Sequence, residues 1–390
     1  MTAHFDRRRR VWLGGALGAT LPWASLAWAG QASEDAPRFA MVILRGGLDG
    51  LSAVPAPGDA DFLPARGALA QLGAAPLAID GTFALHPQLT QLHAMVKGGE
   101  ALVVHAAGLS YRERSHFDAQ QVLESGATRP HEISTGWLGR ALAAGAAKGL
   151  ALNTAVPLVL RGTTAVDTWA PSALPEPSSD LVARLERMYE RDAALAHALA
   201  RAKGLHVDAA TSAMNDRPRG AGFAVLAQRA AQFLSQPAGP QAAVLELGGW
   251  DTHANQFAPN GALVRQLAQL DAGLAALREG LSAGRAWQRT VVVVATEFGR
   301  EVAPNGTQGT DHGSGGAAFV LGGPVKGGRV IADWPGLAKR DRFEGRDLRT
   351  TTDLRAVLKG VLGDHLRVSS RALNADVFPG SEGLRPLSVL

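Results

Sequence analysis

The chain has 390 residues, 46% hydrophobic and 19% charged, enough apolar material for one large core or two close ones and too much for a disordered tail. The absence of cysteine excludes disulfides, thiolate metal ligands and cysteine nucleophiles together, so any metal must be held by oxygen and nitrogen. Residues 1–29 contain four Arg and one Asp, so the formal net charge of +4 falls to +1 beyond them, which is no footprint for nucleic acid.

Taken in chain order, the arginines at 7–10, the Gly/Ala-rich apolar stretch at 11–26 and Ala27-Trp-Ala29 read as an export signal over 1–29. Consecutive arginines ahead of a weakly apolar core favour the twin-arginine route, and they leave a periplasmic or secreted chain of 30–390 with no stable membrane span. Strands are expected at 39–44, 101–106, 156–160, 242–247, 290–295 and 317–321, where short apolar runs end in Gly or polar clusters. Helices are expected at 181–202, 223–234 and 263–281, the last on the three- and four-residue spacing of Leu263, Leu267, Leu270, Leu274 and Leu277. Residues 54–90, with many Pro, Gly and Ala, read as a long loop or lid. Residues 171–179 read as a connection into a helical insertion spanning about 171–235, within a single domain.

Near-continuous apolar strands alternating with helices imply a three-layer α/β/α sandwich with a mostly parallel sheet, whose ligands bind at the carboxyl ends of strands. The candidate residues stand at such ends. Leu245-Glu-Leu-Gly-Gly-Trp-Asp-Thr-His253 carries Asp251 and His253, Val291-Val-Val-Val-Ala-Thr-Glu297 ends in an acid, and Gly309-Thr-Asp-His-Gly313 places Asp311 and His312 just ahead of a strand. Three such segments within about seventy residues suggest one metal site built from several strand ends. Asp311 is either a ligand or a carboxylate that orients His312. Asp49, between glycines after the first strand, is a turn residue or a site residue. Ser115, with Asp118 three residues on, is a helix N-cap; at a helix start beside Arg112 and Arg114 it is also a candidate nucleophile with an anion clamp. His116 is a candidate base or outer donor. His86, His93 and His206 are expected in surface or packing roles, His105 in the core, and Trp137 and Trp250 as packing anchors.

Arg45-Gly-Gly-Leu-Asp-Gly-Leu-Ser52, Arg114-Ser-His-Phe117, Thr135-Gly-Trp-Leu-Gly-Arg140, Gly248-Gly-Trp-Asp-Thr-His253, Thr296-Glu-Phe-Gly-Arg300 and Asp311-His-Gly313 together resemble the twin-arginine-exported bacterial family catalogued as domain of unknown function 1501, over about 38–365. That family is similar in turn to the alkaline phosphatase and sulfatase superfamily. The resemblance implies an alkaline phosphatase-like fold with one or two divalent ions (zinc, manganese or calcium). It makes Asp49 the first-strand ligand, Asp251 and His253 a ligand pair, Glu297 the later acidic ligand, His312 the last histidine ligand and Ser115 the nucleophile. Two departures stand out. Glu297-Phe298 replaces an Asp-His pair, and Asp251-x-His253 is more closely spaced than the superfamily's Asp-x-x-x-His. No cysteine and no Ser-x-Pro-x-Arg is present to supply formylglycine.

The reading is an exported metal-dependent hydrolase of a small phosphate ester, diester or related anionic ester. The alternative is an inactive protein of this fold that binds a carbohydrate, lipid head group or protein in the envelope. A metal-free serine esterase lacks its Gly-x-Ser-x-Gly elbow.

Overall fold

A computed structural model describes residues 35–171, 177–210, 222–256 and 261–390. The expected export signal, residues 172–176 of the expected connection and the side chain of His206 lie outside the described residues. Nine strands form the central sheet: β1 (Arg38–Leu44), β2 (Ala101–Gly108), β3 (Gly149–Ala151), β4 (Val166–Thr168), β5 (Ala242–Leu247), β6 (Thr290–Thr296), β7 (Gly316–Gly322), β8 (Val330–Ile331) and β9 (Thr352–Asp353). Their order is β8-β2-β7-β6-β1-β5-β3-β4, with β9 also paired to β2.

Every residue of β1 is buried, and its side chains alternate between two separate cores. Ala40, Val42 and Leu44 enter the first with the helices Thr90–Lys97, Phe223–Ser235 and Ala262–Ala283. Phe39, Met41 and Ile43 enter the second with His116–Ser125, Trp137–Ala144 and Leu354–Asp364. A sheet covered on both faces needs apolar residues at both phases of the two-residue repeat, which is why β1 reads as a continuous apolar run. The architecture is therefore the expected three-layer α/β/α sandwich. The leucine stripe at 263, 267, 270, 274 and 277 is buried as its spacing requires.

β1 lies parallel to β5 and β6, with Met41 opposite both Val244 and Val293. β7 runs antiparallel to both of its neighbours, β2 and β6. This reversal positions the site. Parallel strands deliver residues to the carboxyl rim as they end, whereas β7 starts there, so the segment just before it reaches the same rim.

Three local expectations change. Of residues 156–160, Leu158–Leu160 are buried but form a 3-10 turn after Pro157, which cannot donate to a ladder; the sheet position beside β5 goes to Gly149–Ala151 instead. The helix expected at 181–202 is two, Ser179–Tyr189 and Ala193–Ala210, because the Asp192 side chain accepts from the backbone N–H groups of Ala194 and Leu195 and starts a new helix. Residues 54–90 are not an open loop, since Val54, Ala56, Phe62, Leu69, Phe83, Leu85 and Leu89 are buried and the segment includes a two-stranded ribbon.

Candidate metal centre

The rim is assembled by turns that need glycine. Gly46, at φ +119°, follows β1 so closely against the turn after β5 that a Cβ there would lie 2.6 Å from the Asp251 nitrogen. Gly249 adopts φ +88° in that same turn and releases Asp251 toward the rim. His116 is the first residue of the helix following β2. His312 is held by an isolated bridge to Arg300, ahead of β7.

These paths converge. Nε2 of His312 lies 3.0 Å from Nε2 of His116 and 3.0 Å from Nε2 of His253. Asp251 Oδ1 lies 3.1 Å from His312, 2.9 Å from His253 and 3.5 Å from His116. Asp251 and His312 are thus shared between two triangles of donors, one completed by His116 and the other by His253. His116, Asp251 and His312 have the mutual spacing of metal ligands. Tetrahedral zinc with bonds of about 2.0–2.1 Å requires donor separations of about 3.3 Å, which the observed values bracket.

The outer nitrogens decide where the lone pairs point. Nδ1 of His312 faces the Arg114 carbonyl at 3.1 Å, which can only accept, so that nitrogen carries the proton. Nδ1 of His116 faces Glu297 at 2.8 Å, and Nδ1 of His253 faces Asp311 at 3.0 Å. With the outer nitrogens so engaged, the Nε2 atoms of all three rings face inward, next to a carboxylate. Such an arrangement needs a proton or a cation at its centre. Burial raises the Asp251 pKa, but the hydrogen bond and charge of Arg300, with His312 and His253, outweigh it and bring the group down to about 2. The hydrogen bond to Glu297, against desolvation, raises the His116 pKa; desolvation, helped by Arg300, lowers that of His312.

Several expected residues stand elsewhere. Glu297 is buried behind His116, where it also accepts from Gly46 N at 2.8 Å and Gln120 at 3.1 Å. Asp311 orients His253 rather than His312. Ser115 is the N-cap of the His116–Ser125 helix, accepting from Asp118 N at 3.5 Å. The Arg112 guanidinium donates to the carbonyls of Leu109 and Tyr111 in its own loop. Arg114 pairs with Asp347 and Glu344. Neither arginine is turned to the triad. His105 is buried between the Val54 carbonyl and the Ala106 N–H, and both tryptophans are buried with their N–H groups on carbonyls.

Asp49 is not brought to the triad. Its buried carboxylate accepts from Arg66 at 2.6 Å, Ser52 Oγ at 2.7 Å, Gln256 and the backbone of Leu51 and Ser52. Burial alone would raise its pKa, but Arg66, Ser52 and Gln256 hold it below the ordinary carboxylate range. A depressed folded value adds stability that is present above the unfolded value, near pH 4, and lost as pH falls below it. Replacing Asp49 by alanine strands a buried guanidinium. The expected cost is about 3–5 kcal/mol of unfolding free energy, read by urea titration at pH 7, with an asparagine variant that loses this acid-dependent part.

Sequence gives Arg66 and Gln256 no notice, Arg300 only a place in a motif, and Phe298 only as a departure from an Asp-His pair. Arg300, fully buried in its side chain, holds Asp251 at 2.6 Å. Its signal was its place three residues after Glu297. Phe298 packs its ring on His116 and His312, with centroids 4.6 and 5.2 Å apart, and forms the apolar wall of the cluster.

A family model described as "Protein of unknown function (DUF1501)" matches residues 37–377. The chain belongs to the DUF1501 family. No curated protein matches this DUF1501 chain at a significant level. Among solved structures it is similar to a 2-O GAG sulfatase (10% identity, covering 91% of this chain and 76% of that one, TM-score 0.44). It is also similar to a protein in the alkaline phosphatase superfamily from Vibrio parahaemolyticus (9%, 84% and 67%, TM-score 0.39). Murine ectonucleotide pyrophosphatase/phosphodiesterase 5 is a third such structure (11%, TM-score 0.34); the DUF1501 chain covers 57% of it and the match spans 67% of this chain. Overlays this loose leave the activities of those proteins with those proteins. No helix among the described residues is long and apolar enough to cross a membrane.

Proposed function

We propose that this DUF1501 protein is an exported, divalent-metal-dependent hydrolase of a small phosphate ester, diester or related anionic ester, built as a single domain with a helical insertion at about 171–235. The observation that carries the reading is the convergence of Nε2 of His116, His253 and His312 on the Asp251 carboxylate. Imidazole-rich sets suit zinc better than calcium, with manganese between them. Asp251 and His312 would hold the ion with His116 and His253, while Glu297, Asp311 and the Arg114 carbonyl fix the rings. A bound ion would supply Lewis acidity to an ester oxygen placed beside it.

Ser115 is the candidate nucleophile because its hydroxyl stands at a helix N-terminus, one residue before His116. The Oγ–phosphorus bond forms as the ester phosphorus–oxygen bond breaks. The serine proton passes to solvent, the leaving alkoxide takes one from solvent, and water then hydrolyses the phosphoserine. Metal analysis of the purified protein, followed by a screen of phosphate and sulfate esters with and without chelator, tests the reading. Metal without turnover of any ester would favour the alternative, an inactive binder of a carbohydrate, lipid head group or protein in the envelope. One observation supports that alternative: Arg112 and Arg114 are engaged away from the triad and do not form an anion clamp.

Export by the twin-arginine route is part of the same proposal, on the strength of Arg7, Arg8, Arg9 and Arg10 before a weak apolar stretch. The processed protein is expected to begin near Gly30 in the periplasm, and lysine at all four positions is expected to block transport. N-terminal sequencing of fractionated cells checks this, and an intact N-terminus on cytoplasmic protein would refute it.

A further inference from the structure

We infer that Gln256 is a positioning residue that locks the loops bearing the candidate ligands into one arrangement; the inference rests on the metal-centre reading above. Gln256 is fully buried, and its amide has partners on both ends. Nε2 donates to the Asp49 carboxylate and, at 3.2 Å, to Ser52 Oγ. Oε1 accepts from Thr252 Oγ1 at 2.9 Å and from Thr310 Oγ1 at 2.7 Å. The direction of the amide follows from chemistry, since an ionised carboxylate only accepts and so requires the NH2 group on its side.

Each partner belongs to a different part of the rim. Asp49 and Ser52 follow β1. Thr252 stands between Asp251 and His253 after β5, and Thr310 stands two residues before His312, ahead of β7. Thr252 and Thr310 are also joined directly, the Thr310 N–H donating to the Thr252 carbonyl at 3.2 Å. Having donated its proton to Gln256, the Thr310 hydroxyl offers a lone pair to Arg300 Nε at 3.2 Å, and the Arg300 guanidinium holds Asp251 Oδ1 at 2.6 Å. A continuous buried chain therefore runs from Asp49 through Gln256, Thr310 and Arg300 to the carboxylate shared by both donor triangles. Buried networks of this kind are directional and lose more than one bond when a member is removed. The hydrogen bonds of the Gln256 amide go to Asp49, Ser52, Thr252 and Thr310 and not to the four candidate ligands, so its effect on them passes through Thr252, Thr310 and Arg300.

Cobalt(II) and zinc are the probes, because cobalt absorption reports coordination geometry independently of turnover. Gln256→Met keeps the length of the side chain but removes its amide bonds; it is expected to weaken cobalt and zinc binding by about 10–100-fold and to shift the visible cobalt spectrum. Thr310→Val removes the hydroxyl that joins Gln256 to Arg300 but leaves Gln256 on Asp49, Ser52 and Thr252, and should produce a smaller change of the same kind even if Gln256→Met fails to fold. Asp271→Asn is the control for stability alone. Asp271 is buried and accepts from Leu92 N at 2.9 Å and Gln91 N at 3.0 Å at a helix start outside this network, so its replacement should lower the melting temperature and leave cobalt affinity and spectrum unchanged. Unchanged affinity and spectrum in Thr310→Val and in any folded Gln256→Met overturn the inference and leave the metal reading standing. A wild type that binds neither ion overturns both.

Discussion

Alanine at Asp251 or at His312 is expected to abolish stoichiometric divalent metal in the purified protein, whereas alanine at His116 or His253 leaves partial binding. The difference follows from the sharing of donors. Asp251 Oδ1 and His312 Nε2 belong to both triangles, and each of the other two histidines belongs to only one. The loss at the shared residues should exceed the roughly 10–100-fold reduction in affinity that removal of an outer hydrogen-bond partner causes, the effect expected of Glu297→Gln. Asp251→Ala also leaves the buried Arg300 guanidinium without its carboxylate, so Asp251→Asn, which retains an acceptor oxygen, separates loss of a ligand from loss of fold. Elemental analysis after refilling with zinc or manganese, with competition against a chelating dye, reads both stoichiometry and affinity. Equal effects at all four residues would remove the shared-donor arrangement, and a full complement of metal in Asp251→Ala would remove the site.

The second large effect is expected at Ser115. With this serine as nucleophile, Ser115→Ala lowers turnover of an identified ester by at least ~100-fold while metal content and fold are retained, because covalent catalysis is lost and the electrostatic contribution of the centre remains. As an N-cap alone, the same change costs about 0.5–2 kcal/mol of stability and leaves turnover intact. The capping bond is long, at 3.5 Å, which places the stability cost at the lower end of that range. Melting and steady-state rate measured on one variant therefore separate the roles. Full activity in a less stable Ser115→Ala protein would take the serine out of the reaction and move attention to water.

The two arginines beside Ser115 show where local sequence stops being informative. Their proximity in the chain suggests an anion clamp, yet a guanidinium reaches whichever acceptors its backbone geometry offers. Arg114, at φ +60°, swings to Asp347 and Glu344, more than two hundred residues away in sequence. What it contributes to the centre is its backbone carbonyl, which fixes the His312 tautomer. Asp49 is a similar case. Glycines on either side of an acid identify a turn, but not that Arg66, carried on a segment that reads as a lid, fills that acid's coordination.

The sequence by itself determined the layered α/β architecture, the long leucine helix and the rim on which the candidate residues gather. Each of these depends on periodic burial or on a strand meeting a glycine turn, and both signals are local. It also placed Asp251, His253 and His312 on that rim, because an acid or imidazole within a few residues of a strand end has little choice about which rim it joins. Only the tertiary structure decided that β7 runs against its neighbours, that His116 faces His312 while Glu297 and Asp311 stand behind the rings, and that Arg300 holds Asp251 and Gln256 holds Asp49 from inside. Those outcomes depend on side-chain direction and on contacts between segments far apart in the chain, and the competition among acceptors for each buried donor is settled only when all the loops are packed together.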